Sequence, residues 1–362
     1  QDVNLSKINN TAIKANKIVT HTLQFMKLYL LNYYDKKSIL PVIDKVFINC
    51  CMKILCNEKA TGRPPKKEII KLKSKLTTFY KNNYKALMVK HDLDYTYMNT
   101  ILDYLTIDIL TMYENNVKQH YVEYIERYVN VMWKKTLIIE KIQKIKKTKK
   151  DRYTSIKLLC TQLRKIKNDI LSVEKTKYTS KQIYHKWITE QKKIIVPLKN
   201  KFKKDNLYYD LQCSPEDYLP CMIYMMKQIE KQEVSINNVF PLRNDIIPKH
   251  IRLDTTTLVH LMLTKTQGKK SDYLFDGNLK RHENKIWKFF FNTKLQCFKK
   301  KHYTFHHMIE TDGISCSILL LRNDKVGKKL RANKIPNKEQ YIDELRKKDY
   351  SELKDKKIVS ID

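Results

Sequence analysis

The chain has 362 residues, with 72 Lys and Arg against 38 Asp and Glu, a formal charge of +34, and only 5 Gly and 9 Pro. Apolar residues make up 42%, enough for a sizeable core, which excludes wholesale disorder and leaves one large domain or two to three modules. So large a charge repels itself and calls for an anionic partner, nucleic acid ahead of an acidic membrane surface. No run of about 18 apolar residues offers a membrane-spanning helix, and no signal or transit peptide opens the chain. Gln1 at one end and Asp362 after an apolar run at the other give the expectation that both ends continue into a longer protein.

Only ten of the cations are Arg. The company of Asn, Ile and Tyr suggests A/T-rich codons, which explain Lys over Arg but not the shortage of acids. In chain order, Val19, Leu23, Met26, Leu30 and Tyr33 recur at helical spacing, as do Ile43, Phe47, Cys50 and Ile54. Pro41 is placed near the start of that second helix, where its missing N–H is tolerated. Ile69, Leu72, Leu76, Phe79 and Tyr84 mark a third helix, and Tyr121, Ile125, Tyr128 and Met132 a later one. Between Lys66 and Val196 there is neither Gly nor Pro, so this stretch is expected to be helical throughout. The stripes are read as core faces of a bundle. From Ile138 to Lys204 the helices become lysine-dense, with Lys146, Lys147, Lys149, Lys150 and Arg152 in close succession. Such a run is either a solvated face or one that tracks phosphates.

Past Pro197, Pro215, Pro220, Pro241 and Pro248 break the rhythm. Thr311-Asp312-Gly313 reads as a turn, and Ile314, Cys316, Ile318 and Leu320 alternate as one face of a strand. Ile358, Val359 and Ile361 suggest another strand. The fold class expected is α+β, a helical first half followed by a mixed second half, with no internal repeat.

Cys50, Cys51, Cys56, Cys160, Cys213, Cys221, Cys297 and Cys316 form no C-x-x-C pair, so no zinc knuckle is read here. The first three sit in an apolar helical context as small buried hydrophobes, and a reducing, intracellular setting fits. Gly62-Arg63-Pro64-Pro65-Lys66-Lys67 is similar to short elements that lie in an A/T-rich minor groove. The alternative is a Pro-stiffened loop opening a helix, with Arg63, Lys66 and Lys67 still able to touch phosphate. Lys280 to His307 interleaves Lys280, Arg281, Lys285, Lys288, Lys299, Lys300 and Lys301 with Trp287, Phe289, Phe290, Phe291, Phe298, Tyr303 and Phe305. Ammonium groups supply backbone affinity and exposed rings can stack on bases. The three consecutive Phe are assigned to the core, while Trp287 and Tyr303 stay open. His306 and His307 diverge on a strand and are not read as metal ligands. No hydrolase, P-loop or zincin motif occurs.

Several segments together resemble Fanzor, the eukaryotic and giant-virus relatives of the transposon-encoded TnpB nucleases. Phe240-Pro241-Leu242-Arg243, Ile247-Pro248-Lys249 and Leu253-Asp254-Thr255 resemble the block joining the recognition part to the wedge. Phe305-His306-His307-Met308-Ile309 with Thr311 to Ser315 resembles the stretch before the nuclease core. Lys357-Ile358-Val359-Ser360-Ile361-Asp362 is similar to the first RuvC strand. Asn16 to Leu31, Tyr113 to Val117 and Tyr128-Val129-Asn130 resemble the helical recognition lobe.

The resemblance implies a helical recognition lobe at 1–195, a connecting segment at 196–234, a β-rich, barrel-like wedge at 235–355, and the start of a RuvC-like domain at 356–362. It implies RNA-guided cleavage of double-stranded DNA, with pairing to a guide RNA reading the target. Asp362 is then the first catalytic carboxylate and Mg²⁺ ligand, activating water for phosphodiester hydrolysis. The further carboxylates and a Zn²⁺-binding cysteine cluster are expected beyond residue 362, so this chain should bind but not cut. Nucleic-acid contacts are assigned to Arg63, Lys66, Lys67, Lys146, Lys147, Lys149, Arg243, Lys249, Lys280, Arg281, Trp287, Lys299, Lys300, Lys301 and Tyr303. The partners expected are guide RNA and double-stranded target DNA in a monomeric ribonucleoprotein, with no membrane and no small-molecule substrate, in the nucleus of a eukaryotic or virus-infected cell. The competing readings are a non-enzymatic RNA/DNA-binding protein from a decayed transposon or a virus, and a basic protein that packages viral nucleic acid.

Overall fold

Helix α1 (Asp2–Lys37) buries Ala12, Ala15, Ile18, Val19, Leu23, Met26 and Leu30, one stripe at three- and four-residue spacing. Lys36 and Lys37 in its last turn oppose the negative end of the helix dipole. The structure is a computed structural model and describes residues 2–56, 65–88, 93, 98–146, 148–172, 177–198, 207–235, 237–244, 248–263 and 278–328. After α1, Ser38 takes a left-handed φ of 56° and the chain runs extended to Asp44. Helix α2 (Lys45–Leu55) starts there and not at Pro41. The Asp44 carboxylate accepts from the Phe47 N–H at 2.7 Å, satisfying a donor that the first turn leaves free.

Helix α3 (Lys67–Asn83) packs on α1 and α2 through Leu76, with Ile69, Leu72 and Phe79 half-buried. The spine is α4 (Asn99–Met132), which touches α1, α2, α6 and α9 and also the sheet. Ile101, Leu105, Ile109, Tyr113, Val117, Tyr121, Ile125 and Tyr128 are all buried along it. Two of its tyrosines tie down later chain: the Tyr121 hydroxyl donates to the Ile195 carbonyl and that of Tyr128 to Gln191 Oε1 at 2.8 Å. Lys134, at φ 49°, breaks the helix and turns it into α5 (Lys135–Ile145). Helix α6 (Lys149–Leu171) folds back on α5, capped by the Thr148 hydroxyl, which accepts from the Asp151 N–H at 3.1 Å.

Asp169, buried near the end of α6, accepts from the Thr179 N–H at 2.8 Å and the Ser180 N–H at 2.9 Å, fixing the approach to α7 (His185–Ile195). Helices α8 (Leu207–Cys213) and α9 (Leu219–Glu230) follow. The segment expected as a connection therefore contributes to the core. Helix α9 buries Met222, Ile223, Met225 and Ile229 and packs on α4 and α7. All eight cysteines are free thiols, and burial pushes the Cys51 thiol up, in keeping with a small apolar role.

The α+β class holds at the coarse level: the described residues are mainly helical, with one three-stranded antiparallel sheet in the order β1-β2-β3. Strand β1 (Ile251–Asp254) leads directly into α10 (Thr255–Met262), which Asp254 caps by accepting from the Thr257 N–H at 2.8 Å. Helix α11 (Asn278–Phe290) packs on α10 and on β2 (Tyr303–Thr311), and β3 (Cys316–Arg322) closes the sheet. The register pairs Leu253 with Ile309 and Ile309 with Ile318, then slips at a bulge between Phe305 and Ile309. His307 sits in that bulge at φ 51°. Ile314, expected on the strand, lies in the turn before β3 and is 95% exposed. Thr311-Asp312-Gly313 forms the turn as read. Asp312 accepts from the N–H groups of Ser315 at 2.7 Å and Ile314 at 2.9 Å, which hold its carboxyl down at about 2. Gly313, at φ +95°, lies against α1, where an added Cβ would come 2.5 Å from Asn9 Oδ1.

Candidate nucleic-acid interface

Two of the assigned contacts have structural employment instead. Trp287 is fully buried; its ring stacks on Phe291 with centroids 5.2 Å apart and meets Phe305 edge-on at 5.0 Å. Its indole N–H donates to Thr255 Oγ1 at 2.9 Å, so no face is left for a base. Arg243 is half-buried, its guanidinium donating to Asn16 Oδ1. Burial pushes the Arg243 pKa down, and Asp108 opposes the shift. Asn16 is itself a clamp: Oδ1 accepts from the Lys249 N–H at 2.9 Å and Nδ2 donates to the Lys249 carbonyl at 3.0 Å. Together with Arg252, which reaches Glu310 at 2.8 Å and Asp108 at 3.3 Å, this contact docks the sheet on α1 and α4. Tyr104 donates to Asp254 Oδ2 at 3.1 Å across the same seam; burial first, and Asp254 second, push its hydroxyl up to about 12.

The remaining described cations lie in three places. Lys66 and Lys67 are exposed at the start of α3. Lys146 and Lys149 are exposed at the tip of the α5–α6 hairpin, with Lys141, Lys144 and Lys150 exposed beside them. Across that hairpin Arg152 Nε donates to the Lys146 carbonyl at 2.6 Å. Lys249, Lys280, Arg281, Lys299, Lys300 and Lys301 are exposed on or beside the sheet. Tyr303 is half-buried with the Lys300 ammonium 4.7 Å above its ring. Arg63, Lys147 and Asp362 lie outside the described residues.

Helix α11 separates its chemistry by face. Glu283, Ile286, Trp287 and Phe290 share the inner face by helical spacing, and Glu283, its one acid, is occupied there. Glu283 Oε1 accepts from Thr255 Oγ1 at 2.8 Å and Oε2 lies 3.3 Å from His307 Nδ1. His307 Nε2 is 2.9 Å from Asn284 Oδ1. Burial first pushes the His307 pKa down, with Glu283 opposing and His306 adding to the fall. The outer face carries Arg281, Lys285, Lys288 and Phe289, all exposed. Phe289, expected in the core, is 77% exposed, whereas Phe290 and Phe291 pack against the core as expected. Its exposure, and the inclusion of Lys285 and Lys288 in the face, follow from their spacing on the helix.

Among the described residues no group of three His, Cys, Asp or Glu is placed to hold a metal ion. No described helix is long and apolar enough to cross a membrane. A family described as a domain of unknown function (DUF8286) matches residues 251–322. Those bounds run from the first residue of β1 to the last of β3, so the match takes in the sheet, α10 and α11. No curated protein matches the chain.

Proposed function

We propose that this chain binds a structured RNA and DNA, as the nucleic-acid-holding part of a guided endonuclease of the Fanzor/TnpB kind. The observation that carries the binding half is the sorting of charge on α11: Arg281, Lys285 and Lys288 face out, while Glu283 is turned inward onto Thr255 and His307. A face of unneutralised cations on an ordered scaffold suits phosphate, and the lysine-rich tip of the α5–α6 hairpin supplies a second such place. In this reading the helices of 1–195 form a recognition lobe. The sheet unit belongs to a wedge that continues toward a RuvC-like domain beginning near residue 356. The cleavage half rests on the resemblance around Asp362 alone. Mg²⁺ would be held there together with carboxylates beyond the chain, and Zn²⁺ in the same later part. The particle would be a monomeric ribonucleoprotein acting in a nucleus.

The test is to express the chain beside its native flanking DNA, purify it at high salt and sequence the RNA that stays bound. One dominant non-coding RNA is the expected result; a heterogeneous mixture of cellular RNA would refute a guide-binding role. The full-length protein, programmed with that RNA and given Mg²⁺, should cut matching DNA, and D362A should abolish the cut. Retained RNA with no cleavage in either form would leave a non-enzymatic RNA/DNA-binding protein.

A further inference from the structure

Phe289 is a large aromatic ring left in water on a helix whose other rings are covered. It is 77% exposed, while Trp287 two residues earlier is fully buried and Phe290 leans on the core. Its one described ring contact is edge-on to Phe290, with centroids 5.0 Å apart, so Phe289 is braced from the side. Lys285, one turn back, and Lys288 beside it are exposed on the same face, with Arg281 one turn further. Among the described residues none of these three cations is ion-paired.

We propose that Phe289 is a base-stacking residue and that the outer face of α11 takes unpaired nucleotides of an RNA strand. It takes them in preference to duplex, with Arg281, Lys285 and Lys288 on the flanking phosphates. This inference rests on the nucleic-acid-binding reading above and specifies what one surface of it recognises. The chemistry requires the pairing of parts found here. Cations alone hold a polyanion whether its bases are stacked in a duplex or free. A projecting ring gains only where a base can leave its neighbours and lie against it, which a duplex forbids. Stacking is indifferent to base identity, so the surface reads single-strandedness and not sequence.

The experiment measures fluorescence anisotropy of the whole chain with three RNAs of equal length: a short oligoadenylate, the same oligomer with central abasic sugars, and a duplex. Wild type should bind the oligoadenylate about ten-fold more tightly than the abasic oligomer. F289A should lose that ratio by weakening the oligoadenylate alone, and F289W should keep it. The paired variant K285A/K288A should weaken the oligoadenylate and the abasic oligomer alike and preserve the ratio. Because Phe289 is exposed, F289A should keep the wild-type circular dichroism and melting temperature. A ratio near one in wild type, a ratio unchanged by F289A, or a loss of duplex affinity in F289A equal to its loss for the oligoadenylate would each overturn the stacking role while leaving nucleic-acid binding intact. Binding of none of the three RNAs would overturn both.

Discussion

Replacing Trp287 by Phe tests whether the indole is core or contact. The substitution removes the N–H that donates to Thr255 Oγ1 at 2.9 Å, a hydrogen bond with a net worth of about 1 kcal/mol. It also removes about 40 Å² of ring surface that is fully buried in the wild type, worth about 1 kcal/mol at the usual transfer coefficient. A small void between Phe291 and Phe305 adds to this, giving a total of about 2–3 kcal/mol. In a chain of 362 residues that corresponds to a fall in Tm of roughly 3–4 °C, read from the helical circular dichroism signal. Thr255→Val breaks the same chain of bonds at its centre, since Thr255 also donates to Glu283 Oε1 at 2.8 Å. The double variant should therefore cost about 1 kcal/mol less than the two single losses combined. Affinity for the oligoadenylate should not change at temperatures where the variants are folded. Weakened RNA binding by W287F with an unchanged melting curve would refute the buried arrangement and return Trp287 to the interface.

Asn16→Leu should destabilise the chain by about 2–4 kcal/mol, because it strips partners from the Lys249 backbone N–H and carbonyl and from Arg243; urea denaturation followed by circular dichroism measures it. Asp169 provides a pH dependence. Burial alone would raise its carboxyl, but the donors of Ser180 and Thr179 outweigh it and hold the group below its ordinary 3.8. A carboxyl depressed on folding contributes stability that is present above pH 3.8 and lost as pH falls through the lower folded value. Wild type should lose its margin over Asp169→Asn on acidification below about pH 4, and a constant margin would contradict the assignment. Neutralising Arg281, Lys285 and Lys288 together should reduce the slope of log K against log salt for single-stranded RNA by roughly 2, at about 0.7 per phosphate lost. An unchanged slope would remove this face from the interface.

What could be read from the sequence depended on the range of the interaction concerned. The stripe Val19, Leu23, Met26, Leu30 announces the inner face of α1 because helix geometry repeats every 3.6 residues whatever the helix packs on. The same rule, applied residue by residue to α11, puts Trp287 and Phe290 inside and Phe289 outside. As one apolar run, Phe289 to Phe291 carries no such distinction. Pro41 offered a helix start, but Asp44 gives the first turn an acceptor that proline lacks, and the better cap prevailed. Arg243 could not have been placed this way. Its fate depends on Asn16 in a helix 227 positions earlier in the sequence, and the local run Pro241-Leu242-Arg243 says nothing of that.

The bulge at His307 belongs to the same class, since it is produced by a slip in pairing between Phe305 and Ile309 and not by any residue's own preference. That slip has a consequence for the surface. It turns His307 toward α11, where Glu283 and Asn284 receive it at 3.3 and 2.9 Å. The one acid of α11 is thereby engaged on the inner side, already accepting from Thr255. Among the described residues the outer face of α11 presents Arg281, Lys285, Lys288 and Phe289 without an acid, because helical spacing puts Glu283 on the inner face. At α11 the cations of the outer face stand apart from the helix's one acid, which Thr255 and His307 engage on the opposite side.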